Sequence, residues 1–142
     1  MTELKVDATL ENLERVLSFV EERLETCSCS MKTIMQIQIA VEEIYVNIAS
    51  YAYKEKKGEA IIKIETDQEV PQVSLTFEDY GDPYNPLLKE DPDITLSAEE
   101  RKIGGLGIFL VKEMMDEVSY EYADGKNINI RMVKIFLPSK KI

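Results

Sequence analysis

Apolar residues recur along this chain first at every second position, then at every third or fourth, then at every second again. Residues 2–8 set Leu4, Val6 and Ala8 between polar neighbours, the two-residue period of a short strand suited to a sheet edge. Leu10, Leu13, Val16, Leu17, Val20 and Leu24 then follow the helical period of about 3.6 residues, with Glu and Arg on the opposite face and Asp7 or Thr9 placed to cap the start. A break at 26–30, with Ser30 as the cap, leads to a second helix over about 31–53. Its stripe is Ile34, Ile37, Val41, Tyr45, Ile48 and Ala52. A charged turn at 54–59 precedes two strands, 60–66 and 72–79, joined by a turn containing Pro71. Residues 84–102, with Pro86 and Pro92, hold no sustained period. A loop of that length in a compact domain is usually functional or mobile, and its Ser97-Ala98-Glu99-Glu100 has the pattern of a short helix start. Ile108, Leu110, Val111, Met114 and Met115 return to helical spacing, and 118–123 with 126–137 read as a hairpin turning at Asp124-Gly125.

Composition narrows what such a chain can do. Its 142 residues and 44% hydrophobic content suit a single globular domain, 1–142, with a real core. No apolar run approaches the ~18 residues of a membrane span, and the N-terminus lacks a signal-peptide core, so a cytoplasmic location is the expectation. Cys27 and Cys29, as C-S-C, are too close for a structural disulfide and have no partners for a zinc site; they read as reduced thiols at a helix connection. A net charge of −10 argues against a nucleic-acid surface. It leaves room for a single nucleotide, whose charge can be met by Mg²⁺, one or two basic residues and a helix N-terminus. The chain has no histidine. Acid and base work therefore falls to carboxylates, lysines or tyrosines.

Three stretches carry candidate chemistry. In the second helix Asn47 lies four positions after Glu43, which stacks a carboxylate and a carboxamide on one face, away from the main stripe. A carboxylate can accept a proton from a hydroxyl or water, and an amide oxygen is a hard ligand for Mg²⁺. A solvated polar stripe gives the same pattern. The neighbours on the helical wheel are Gln36, Ala40, Ser50 and Tyr51, small or uncharged groups better suited to a pocket wall. In the second strand Val73, Leu75 and Phe77 alternate with Ser74, Thr76 and Glu78, and the period carries Asp79 onto the apolar side. There a carboxylate needs a partner. Asp79 also opens the turn Tyr80-Gly81-Asp82-Pro83, so it is either a turn residue or an acceptor at a pocket floor. Last, Arg101 and Lys102 precede Gly104, Gly105, Leu106 and Gly107 at a helix start, the makings of a phosphate cradle. The same glycines also fit simple tight packing at a helix entry. Neither common phosphate motif is met: Gly125-Lys126 is followed by Asn127, and Leu110 stands where G-x-G-x-x-G needs its last glycine.

Taken together, Glu43…Asn47, Asp79-x-Gly81 and Gly104-Gly105-Leu106-Gly107 resemble, in order and spacing, the N-box and two glycine boxes of the Bergerat-fold, histidine-kinase-like ATP-binding superfamily. Gyrase-type topoisomerases, a heat-shock chaperone family, mismatch-repair ATPases and histidine kinases share that fold. The resemblance covers nearly the whole chain and is nearest to the anti-sigma regulatory factor and serine-protein kinase group. It implies an α/β (α+β) two-layer sandwich, about three helices packed on one face of a mixed, mostly antiparallel sheet. It also implies ATP and Mg²⁺ as cofactors: Asn47 on the metal, Asp79 on the adenine amino group, Gly81 beside the base, Gly105 and Gly107 against the phosphates. Arg101 and Lys102 become candidates for the γ-phosphate, and Glu43 the general base. The implied activity is serine/threonine protein kinase action on a small anti-sigma-factor antagonist, with a sigma factor as a further partner and pairing into a homodimer. A non-enzymatic, nucleotide-gated binding module and an ATPase domain of a phosphatase or receiver pathway are the alternatives. A sensor histidine kinase is disfavoured, because no acceptor histidine exists here.

Overall fold

The computed structural model describes residues 2–27, 29–53, 57–67, 69, 71–81, 87, 105–123 and 126–135. In chain order these form β1 (Thr2–Asp7), a 3-10 turn (Leu10–Asn12), α1 (Leu13–Glu25), α2 (Met31–Asn47), a single π-helical turn (Ile48–Ala52), β2 (Glu59–Asp67), β3 (Gln72–Asp79), α3 (Gly105–Met114), β4 (Glu117–Ala123) and β5 (Lys126–Ile135). The strands make one sheet in the order β1-β2-β3-β5-β4, and each neighbouring pair is antiparallel. Three α-helices among the described residues complete the two-layer α+β sandwich that the sequence led us to expect.

Side-chain alternation aligns across the strands and builds the core face of the sheet. Leu4 pairs with Ile62 and Ile62 with Phe77, while Ile64 faces Leu75. Val73, Leu75 and Phe77 are buried, as the period-2 pattern predicts. Onto this face α1 lays Val16, Val20 and Leu24, α2 lays Ile37, Val41 and Tyr45, and the π turn adds Ile48. Tyr45 is fully buried and stays satisfied by donating its hydroxyl proton to the Thr9 carbonyl at 2.6 Å, with the Asp7 carbonyl 3.1 Å away. That bond ties α2 to the end of β1, and burial pushes the Tyr45 phenol above its ordinary pKa.

Several local expectations change. Ser30 does cap α2, its side chain accepting from the Thr33 amide at 3.2 Å. Asp7 and Thr9 do not cap α1. The chain first makes the 3-10 turn, and the Asn12 side chain then donates to the Asp7 carbonyl at 2.8 Å. Leu10, placed by period on the α1 stripe, sits in that turn and is exposed. The second helix is regular only to Asn47; a wider π turn carries it to Ala52. Ala40 and Ile44 are also buried, so the apolar arc of α2 is broader than its leading stripe. The loop 84–102 (apart from Leu87), its suggested helix start and the hairpin tip Asp124-Gly125 lie outside the described residues.

Candidate functional site

Helix α2 is the spine of the site because it meets both glycine segments. Glu43 and Asn47 sit at the edge of its buried arc, beside Ala40 and Ile44, and both are half-buried. Among the described residues neither side chain makes a hydrogen bond. The Glu43 carboxylate lies directly on Gly107, in the first turn of α3. A methyl group on Gly107 would overlap Oε2 of Glu43 and stand 2.9 Å from its Cδ. α3 can therefore approach α2 only because position 107 has no side chain. Screened from water there, Glu43 has its carboxyl pKa raised, chiefly by burial and secondarily by the neighbouring Glu42 charge. A carboxylate made more basic in this way is better matched to proton transfer near neutral pH.

At the far end of α2 the second contact is made by backbone. A side chain at Gly81 would collide with the carbonyl oxygen of Ala52 and lie 2.6 Å from its carbonyl carbon. The missing side chain thus admits the end of the π turn, a steric role the sequence alone did not show. Asp79 is wholly buried on the core face, opposite Ala60, whose small side chain leaves it room. One of its oxygens accepts the Gly81 amide proton at 2.8 Å, so Asp79 both opens the turn and occupies the core register. Its neighbour Glu78, also buried, points to the other sheet face and takes the Lys63 ammonium at 2.8 Å; that bond raises the Lys63 pKa. A register shift against β5 falls between Phe77 and Glu78, just before this pair of carboxylates.

One residue of this corner went unnoticed in the sequence. Tyr53 follows the π turn, and its hydroxyl accepts the Tyr80 amide proton at 2.7 Å while donating to the Glu59 carbonyl at 2.6 Å. Its ring is pressed against Gly58, where no Cβ could fit. Burial pushes its phenol pKa up. The available signal was an aromatic residue just before a charged turn, which does not by itself name a partner.

Asp79-x-Gly81 and Gly107 thus converge on one helix, meeting it at Ala52 and Glu43. Nine residues of helix separate the two contacts, roughly 13 Å at 1.5 Å per residue, a span comparable to the length of a nucleoside triphosphate. The main chain of Gly105 and Leu106 forms the first turn of α3, whose amide protons have no intrahelical acceptors and favour an anion. Asn47 offers a hard amide oxygen one turn from Glu43. Among the described residues no cluster of three or more Asp, Glu, Cys or His side chains could cage a metal. Arg101, Lys102 and Gly104 lie outside the described residues.

With this geometry in view, comparison with known proteins defines the class. Residues 6–134 match the histidine kinase-like ATPase domain, and the chain belongs to that family. Among curated proteins it is similar to the serine-protein kinase RsbW of Staphylococcus aureus. For strain bovine RF122 / ET3-1 the identity is 26% over 132 residues, 90% of this chain and 83% of the relative. The MRSA252 protein gives the same figures, and that of strain JH9 is 25% identical over the same length. No helix among the described residues is long and apolar enough to cross a membrane.

Proposed function

We propose that this chain binds Mg·ATP along α2 and transfers the γ-phosphoryl group to a serine or threonine of a small anti-sigma-factor antagonist protein. The observation that carries this reading is the seating of Glu43 on Gly107. It puts a half-buried carboxylate, made more basic by its surroundings, at the first turn of a helix suited to phosphate. In the proposed reaction Glu43 accepts the hydroxyl proton as the acceptor oxygen bonds to the γ-phosphorus and ADP departs. Asp79 accepts a hydrogen bond from the adenine amino group, and the first-turn amides of α3 orient the phosphates. Asn47 would hold Mg²⁺, which when bound neutralises phosphate charge. Similarity to proteins named serine-protein kinases supports the choice of a serine as acceptor.

Two measurements test the proposal together. Titration calorimetry should show Mg·ATP binding by wild type and by Glu43→Gln, with binding much weakened in Asp79→Ala. Phosphate transfer to the partner, followed by mass, should vanish in Glu43→Gln. Transfer at the wild-type rate would remove Glu43 as the base. ATP-dependent partner binding with no turnover by wild type would leave a nucleotide-gated binding module instead.

A further inference from the structure

We infer that Tyr53 is a positioning residue for base recognition, holding the Asp79 turn in the shape that selects adenine. The inference rests on the reading of Asp79 given above. A carboxylate discriminates an exocyclic amino group only if its oxygens are fixed, because a mobile acceptor can turn to water or to another base edge. Asp79 is fixed from below by burial opposite Ala60 and from within by the Gly81 amide. The residue between them, Tyr80, follows the last residue of β3 and is exposed, and its amide donates to a side chain. Tyr53 meets that amide.

The phenol uses both of its hydrogen-bonding capacities at once. It accepts from Tyr80 at 2.7 Å and donates to Glu59 at 2.6 Å, so the end of β3 is tied to the start of β2 through one oxygen. The ring lies close against Gly58, where a side chain would overlap it, and Tyr53 directly follows Ala52, whose carbonyl fills the space beside Gly81. The end of the π turn therefore grips the Asp79-Tyr80-Gly81 turn through two consecutive residues, Ala52 sterically at Gly81 and Tyr53 by hydrogen bond at Tyr80. Phenylalanine would keep the ring but break the link to both strands.

The test compares ATP with purine riboside triphosphate, which lacks only the 6-amino group, by titration calorimetry on wild type, Tyr53→Phe and Gly58→Ala. The glycine variant pushes the same ring aside without removing its hydroxyl. Wild type should prefer ATP. In both variants ATP affinity should fall about tenfold, the equivalent of roughly one hydrogen bond, while affinity for the analogue changes little and the preference shrinks. An unchanged preference in the two variants would overturn the inference and leave the nucleotide site standing. Equal losses for both nucleotides would also overturn it, making Tyr53 a purely structural tie. If wild type binds ATP without preferring it, the role of Asp79 fails; if wild type binds neither, the site itself fails.

Discussion

Replacing Gly107 with alanine should separate stability from chemistry. The new methyl would occupy the space of Glu43 Oε2 and press on its Cδ, and these atoms, with Cγ at 3.5 Å, are its three nearest neighbours. A flexible, half-buried side chain can yield to it. Rotation of Glu43 into a less favourable conformer costs about 0.5–1.5 kcal/mol, and alanine in place of glycine inside a helix returns up to about 1 kcal/mol. The net change in unfolding free energy should therefore stay within about 1 kcal/mol, measured by urea denaturation. Catalysis should suffer far more. A base moved by about 1 Å from its working position loses on the order of 100-fold in rate, or about 2.7 kcal/mol of barrier. The assay is single-turnover consumption of γ-labelled ATP at saturating nucleotide, with the Kd for Mg·ATP measured in parallel. Glu43→Asp combined with Gly107→Ala, whose shorter acid relieves the overlap, should recover part of the loss seen in Gly107→Ala alone. Wild-type turnover in Gly107→Ala would refute the idea that the Glu43–Gly107 contact sets the base.

Other outcomes follow from neighbouring features. Gly81→Ala meets backbone rather than a side-chain tip, since the Ala52 carbonyl cannot swing away; urea unfolding should show a loss of about 1–3 kcal/mol, with weakened Mg·ATP binding. The rate of transfer should rise with pH through a midpoint above the usual glutamate range, because the raised Glu43 pKa keeps the base protonated at lower pH. Glu42→Gln should move that rising limb to lower pH by removing the like charge, and an unmoved limb would assign it to another group. The same raised pKa makes Glu43 a cost to folding above its titration, so Glu43→Gln should gain stability relative to wild type as pH rises through that midpoint. Cys29, its thiol pushed up to about 11 by burial, the Cys27 charge and a hydrogen bond that its protonated form makes to the Cys27 side chain, should react with iodoacetamide at pH 8 about two orders of magnitude more slowly than an exposed cysteine. Alkylation followed by mass spectrometry reads this directly.

The sequence determined the main helices and strands and named the candidate site residues, because periodicity reports which faces must be buried and which polar groups stand apart from them. β3 spans the very residues its alternation marks, 72–79, and Asp79 lies in the core register that the count assigned to it. Glu43, Asn47, Asp79 and Gly107 stood out as candidates from residue type and spacing, and Gly81 joined them through the family resemblance. What tertiary structure decided was which of them touch, and why the glycines are glycines. Spacing cannot show that Gly81 makes room for the Ala52 carbonyl or that Gly107 makes room for Glu43, since both contacts join residues far apart in the chain. Nor can it show that α2 loosens into a π turn after Asn47, or that Tyr53 bridges two strands through one oxygen, because a continued apolar stripe looks the same in either winding. The wheel set Glu43 and Asn47 on a face that was either a solvated stripe or a pocket wall. The fold brings the first turn of α3 onto that face at Gly107, and there Glu43 is half-buried, with its pKa raised by burial and by the Glu42 charge.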